Sequence, residues 1–354
     1  TDPALGDNRA WGREILARSV DTDLGVAAIA AARIDDAAQL DEVMRRTLAA
    51  AEEWGRTPGE ERAAVLHRAG EMLAARRARL IEIMAHEAGK TIAEADPEIS
   101  EAVDFAHYYA ERAKELDAVD GAAFVPSKLT VVTPPWNFPV AIPAGGVLAG
   151  LAVGSGVIIK PAKLTQRCGA VMVEALWDAG VPRDLLALVD LGSRDLGTQL
   201  VASPDVDRVI LTGAYETAQL FRSFRKDLPL LAETSGKNAI IVTPSADLDL
   251  AAADVAKSAF GHAGQKCSAA SLAILVGSVA DSKRFERQLV DAVTSLRVGY
   301  PADPTTQMGP VVEPATGKLL TALTTLDAGE RWLVEPKRLD DSGTLWSPGV
   351  KTGV

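Results

Sequence analysis

Residues 128–160 read KLTVVTPPWNFPVAIPAGGVLAGLAVGSGVIIK. LTVVT is a short apolar, β-branched run, PPWNFP is a rigid turn, a stretch of small residues follows, and GVIIK closes the segment as a second apolar run. Continuous apolar runs of this length are the mark of strands buried on both faces, as in a parallel sheet. The segment is therefore a strand–helix–strand unit, with a helix over roughly 141–153 and a strand over 156–160. Residues 140–159 carry no charge and approach the length of a membrane span, but five glycines and Pro143 favour the soluble division into helix and strand.

Outward from this unit the rhythm repeats. LLALVD, DRVILTG and LPLLAET follow as apolar runs, separated by segments long enough for crossover helices. The pattern predicts an α/β fold with a doubly wound parallel sheet that takes its ligand at the carboxyl ends of its strands. The dinucleotide fingerprint GxGxxG is absent. A second alternating unit begins at NAIIVT, continues through a helix over 249–260 and the stretch FGHAGQKCSAAS (260–271), and ends in the strand SLAILV and a helix over 282–296. Upstream, residues 11–116 show helical spacing, clearest over 38–54 and 60–88, with Pro58 at a helix start and Gly89 at a helix end. Two domains are expected: 1–235, helices followed by the doubly wound sheet, and 236–354, a second α/β domain that carries Cys267.

Composition narrows the function. The 354 residues carry 47% hydrophobic and 24% charged side chains and a net charge of −11, which argues against a phosphate backbone or anionic membrane as partner and leaves a small molecule. The only cysteines, Cys168 and Cys267, offer neither a disulfide framework nor a metal-binding spacing. The four histidines are scattered likewise, so no metal is predicted. With a polar start and no apolar leader, the expected compartment is the cytoplasm.

The strand ends collect polar groups on one rim. The first strand runs into Trp136 and Asn137, the second ends at Lys160, the fourth at Thr212 and Gly213, and the fifth at Glu233. Each has a plain structural alternative: Asn137 as a helix cap, Lys160 as a solvated cation, Gly213 as a turn, Glu233 as a partner of Lys237. Cys267 is the best candidate for a nucleophile, provided that its surroundings stabilise the thiolate or supply a base, and the alternative is a buried small hydrophobe.

PPWNFP, IIKPA, ILTG, LLAETSGKNA and GQKCSAAS occur together in the order and rough spacing of the aldehyde dehydrogenases, and the chain resembles that family over nearly its whole length. The resemblance implies a helical N-terminal segment, a Rossmann-like NAD-binding domain and a catalytic thiol domain that is C-terminally incomplete, since the family's EXFGP segment lies beyond Val354. TDPALGDNRAW, EAVDFAHYYA and the Cys267–Ser268 pair resemble the L-glutamate γ-semialdehyde (1-pyrroline-5-carboxylate) dehydrogenases, including those fused to proline dehydrogenase in proline utilization A proteins.

The resemblance implies NAD-dependent oxidation of L-glutamate γ-semialdehyde to L-glutamate in proline catabolism. Cys267 would be the nucleophile, Asn137 with the Cys267 N–H the oxyanion donors, and Glu233 the base that activates the deacylating water, raised in pKa by burial. Thr133, Pro135, Trp136, Lys160, Thr212, Gly213 and Ala214 would line the cofactor groove, and Ser268 and Glu101 would meet the substrate. His262 loses the role of base to the Cys267 thiol. Lys163 stands where the family often has a Glu, which opens NADP as an alternative to NAD. The resemblance also implies a homo-oligomer when complete and a fused or associated proline dehydrogenase. Another semialdehyde or aliphatic aldehyde, or a silent cofactor-binding module, are the alternatives.

Overall fold

The computed structural model describes residues 1–116 and 118–354. The chain divides into two compact units. One comprises Thr1, Arg18–Ala88 and Ala95–Ser235; the other comprises Asp2–Ala17, Gly89–Glu94 and Gly236–Val354. Two upstream segments belong to the second unit.

The first unit is built on a five-stranded parallel sheet. Its strands are β1 (Leu129–Thr133), β2 (Gly156–Ile159), β3 (Leu186–Leu188), β4 (Arg208–Gly213) and β5 (Leu230–Thr234), in the spatial order β3-β2-β1-β4-β5. Helices Ala141–Ala152, Gln166–Asp178, Arg194–Ala202 and Tyr215–Phe224 make the successive crossovers. The chain steps outward from β1 in one direction and then, through β4, in the other. The switch point therefore lies between the carboxyl ends of β1 and β4, where Thr133 pairs with Leu211.

Packing explains the composition of residues 128–160. On one face Leu129, Val131 and Ile158 join Leu40 and Met44 from the helix Ala37–Arg56, and Leu196 and Leu200 from Arg194–Ala202. On the other face the helix Ala141–Ala152 lies so close that a Cβ on Gly146 would come within 2.9 Å of Val132 Cγ1, and one on Gly150 within 2.8 Å of Val157 Cγ2. Small residues in that helix are a steric requirement of its approach to the sheet. The segment read over 60–88 is two helices, Gly59–Ala75 and Arg77–Ala88, broken at Arg76. Pro58 precedes the first, and Gly89, at φ 66°, follows the second.

In the second unit β6 (Asn238–Val242) and β7 (Ala270–Leu275) form a parallel pair, crossed by the helix Leu248–Phe260. Asp247 caps that helix by accepting from the N–H groups of Asp249 and Leu250, and Ser282 caps Lys283–Thr294 through the N–H of Phe285. Val242, Ala252, Val255, Phe285, Leu289 and Val293 form their common core. The stretch 317–352 contains a helix Gly317–Thr324 and an antiparallel pair, β8 (Arg331–Val334) with β9 (Val350–Thr352). Among the described residues no helix is long and apolar enough to cross a membrane.

Candidate active site

In the first unit the sheet rim holds the residues predicted for it. Thr133 ends β1, with its hydroxyl donating to Ile210 O at 3.4 Å. Pro135, Trp136 and Asn137 follow it, half-buried, in the turn before the Ala141–Ala152 helix. Lys160 follows β2; burial holds its ammonium pKa below the ordinary lysine value, and the nearby Asp190 opposes that shift. Thr212 and Gly213 end β4, and Ala214 is the N-cap of Tyr215–Phe224 without a side-chain cap. A glycine turn at the end of β4, a helix start just beyond it and a cation after β2 suit a dinucleotide.

Glu98 is a buried acid beside this rim that sequence reasoning missed. It is 3% exposed on the helix Ile92–Leu116, and its Oε1 accepts the N–H groups of Val140 at 2.8 Å and Ala141 at 3.1 Å. A buried carboxylate thus terminates the turn that carries Asn137. The signal was present in the spacing, because Glu98 falls in the same buried stripe as Ala95, Ala102 and Ala106. Glu101, offered as a substrate contact, lies one turn further along that helix and is exposed.

Glu233 is placed differently from expectation. The resemblance implies a deacylating base raised in pKa by burial, whereas Glu233 is exposed: β5 is the edge strand of the sheet, and its neighbours Leu231 and Ala232 are exposed as well.

In the second unit Cys267 and Ser268 occupy the centre of a turn closed by Ala269 N–H donating to Lys266 O at 3.1 Å. Both are exposed, whereas Cys168 is buried. The turn stands before β7, at the amino end of a strand. Asn238, at the start of β6, donates through Nδ2 to Cys267 O at 2.6 Å and Ala269 O at 3.1 Å. Gln265 donates to His262 O at 3.0 Å and Pro310 O at 3.2 Å and accepts from Val312 N–H at 2.9 Å. His262 is fully buried, and its imidazole pKa is pushed down to about 3 by burial and by the cations Lys90 and Lys266. No group of three or more metal-ligating side chains occurs among the described residues.

A profile of the aldehyde dehydrogenase family matches residues 23–354. The chain is 35% identical over 322 residues to the bifunctional protein PutA of Salmonella typhimurium, covering 88% of this chain and 24% of that protein. It is 33% identical over 330 residues to 1-pyrroline-5-carboxylate dehydrogenase 2 of Bacillus subtilis, covering 88% of this chain and 64% of that one. Proline utilization A from Corynebacterium freiburgense superposes with a TM-score of 0.90 at 50% identity, over 99% of this chain and 35% of that one. The chain thus spans less than two thirds of the length of each of these relatives.

Proposed function

The chain belongs to the aldehyde dehydrogenase family, and on that premise we propose that it carries out the NAD-dependent oxidation of L-glutamate γ-semialdehyde to L-glutamate in proline catabolism. One observation carries the reading: the single exposed cysteine sits at the centre of a braced turn, in a chain similar to proteins named 1-pyrroline-5-carboxylate dehydrogenase.

The Cys267 thiolate adds to the aldehyde carbon, forming a C–S bond and an oxyanion. The Asn137 carboxamide and the Cys267 N–H receive that charge, a contribution of roughly 3 kcal/mol per donor. When bound, the nicotinamide supplies the acceptor for the hydride of the aldehyde carbon. Thr133, Pro135, Trp136, Lys160, Thr212, Gly213 and Ala214 would hold the dinucleotide, Lys160 at the adenosine ribose and the Thr212–Ala214 turn at the pyrophosphate. Glu233 takes a proton from water as that water attacks the thioester carbon, the C–S bond breaks, and the thiol and carboxylate product are released. Ser268 hydrogen-bonds the substrate's α-carboxylate, and Glu101 approaches the substrate from the helical segment. NAD is the proposed cofactor; an exposed cation at Lys163 would not repel a 2′-phosphate, so NADP is the comparison. The enzyme works in the cytoplasm as a homo-oligomer, beside a proline dehydrogenase in the same or an associated chain.

The test is NADH formation by the full-length protein with L-glutamate γ-semialdehyde. Turnover with that substrate supports the reading. Oxidation of succinate semialdehyde or an aliphatic aldehyde in its place overturns the substrate, and no turnover with any aldehyde overturns the enzyme reading.

A further inference from the structure

The backbone before the nucleophile turn is of a kind that side-chain-bearing residues rarely adopt. His262, Ala263 and Gly264 stand in succession at φ 52°, 53° and 72°. Glycine accepts this conformation freely, whereas in the other two the Cβ is crowded against the backbone. Such strain persists only where the surroundings over-determine it.

The surroundings here are specific. Behind the turn, Glu94 Oε1 accepts the His262 N–H, while its Oε2 accepts the Thr91 N–H at 3.0 Å and the Thr91 hydroxyl at 2.9 Å. In front, the Gln265 carboxamide ties His262 O to Pro310 O through its N–H groups and takes the Val312 N–H on its oxygen. Past the thiol, the Asn238 amide nitrogen holds Cys267 O and Ala269 O together. Cys267 is therefore bracketed by two carboxamides, one two residues upstream and one bonded to its own carbonyl oxygen. Each donates to two carbonyl oxygens, a task that an ionised carboxylate of the same shape cannot perform.

We propose that Gln265 and Asn238 are positioning residues of the thiol nucleophile, locking the left-handed segment 262–264 and the 266–269 turn so that Cys267 presents Sγ at a fixed angle. The proposal rests on the reading of Cys267 as the nucleophile. It touches no cofactor contact, so its signature lies in kcat and not in KM for the dinucleotide. Misplacing a reacting atom by about 1 Å costs on the order of 100-fold in rate.

The experiment uses the full-length protein carrying Gln265→Glu or Asn238→Asp, in which a donor facing two carbonyl oxygens becomes a carboxylate. Expected is a fall in kcat of about 10- to 100-fold at neutral pH with KM for NAD unchanged, and partial recovery as the pH is lowered and the carboxyl group again donates. A residue that served only general packing would give no such pH-dependent recovery. Gln265→Met and Asn238→Leu remove the donors without adding charge; they should lose the same activity without recovery, and they carry the test if the acidic variants do not fold. A kcat within about threefold of wild type in the variants overturns the proposal. Turnover that survives Cys267→Ala overturns the nucleophile reading, and the proposal with it; abolished turnover in Cys267→Ala beside unchanged kcat in the variants overturns the proposal alone.

Discussion

The Glu98 carboxylate accepts the backbone N–H of Val140 at 2.8 Å from a helix forty-two residues upstream, and takes that of Ala141 with the same oxygen. Two orphan donors at a buried helix start are thereby satisfied by one side chain, which is why an acid sits in the alanine stripe of Ile92–Leu116. Glu98→Ala leaves both unpaired and should lower the unfolding free energy by about 1–3 kcal/mol, read from urea denaturation, whereas Glu98→Gln, which keeps an acceptor oxygen, should lose less.

The two cysteines should separate cleanly by chemistry. Cys168 is fully buried, with its Sγ donating to Ile83 O at 3.6 Å, and Cys267 is exposed. Iodoacetamide is expected to modify Cys267 alone in the native protein and Cys168 only after denaturation, as followed by peptide mass. Equal labelling in the folded state would contradict the assigned packing.

Glu233→Gln should separate the two halves of the proposed cycle. With the deacylating base removed, one equivalent of NADH should appear in a burst and the steady-state rate should fall by about 10²- to 10⁴-fold. A uniform loss of burst and steady state would place Glu233 in the first half of the reaction.

His262 makes stability depend on acid. Its imidazole is held neutral in the fold, with a pKa of about 3 against 6.5 in an open chain, so the unfolded state binds the proton more tightly. No cost arises above pH 6.5; as the pH falls toward 3 the folded state loses stability, by up to about 5 kcal/mol. Urea unfolding at stepped pH should show this slope in the wild type and lose it in His262→Gln.

Gly150 faces Val157 with no room for a methyl group, a Cβ there falling at 2.8 Å from Val157 Cγ2. Gly150→Ala should destabilise the first unit by about 1–3 kcal/mol, despite the better helix propensity of alanine, and should lower the thermal midpoint.

The sheet was legible because its signal is local. Strands buried on both faces need only short apolar runs, and those at 129–133, 156–159 and 208–213 were read with boundaries close to the observed ones. Helix Gly317–Thr324 and the β8–β9 pair were not read, because neither lies in a run with a clear period. The exposure of Glu233 was invisible for a different reason, since its burial depends on where β5 falls in the strand order.

For the candidate site, the sequence by itself determined which side chains could do chemistry: the thiol of Cys267, the amide of Asn137, the carboxylate of Glu233 and the ammonium of Lys160 are fixed by residue type and by the motifs that hold them. Only the tertiary structure decided what holds some of them in place. Glu98 reaches forty-two residues along the chain and Asn238 twenty-nine, to backbone groups that no spacing rule connects. Such bonds join a side chain to a peptide group, and every residue but proline offers the same N–H and C=O. Their partners are therefore chosen by the folded path of the chain and leave no mark in the sequence where they land.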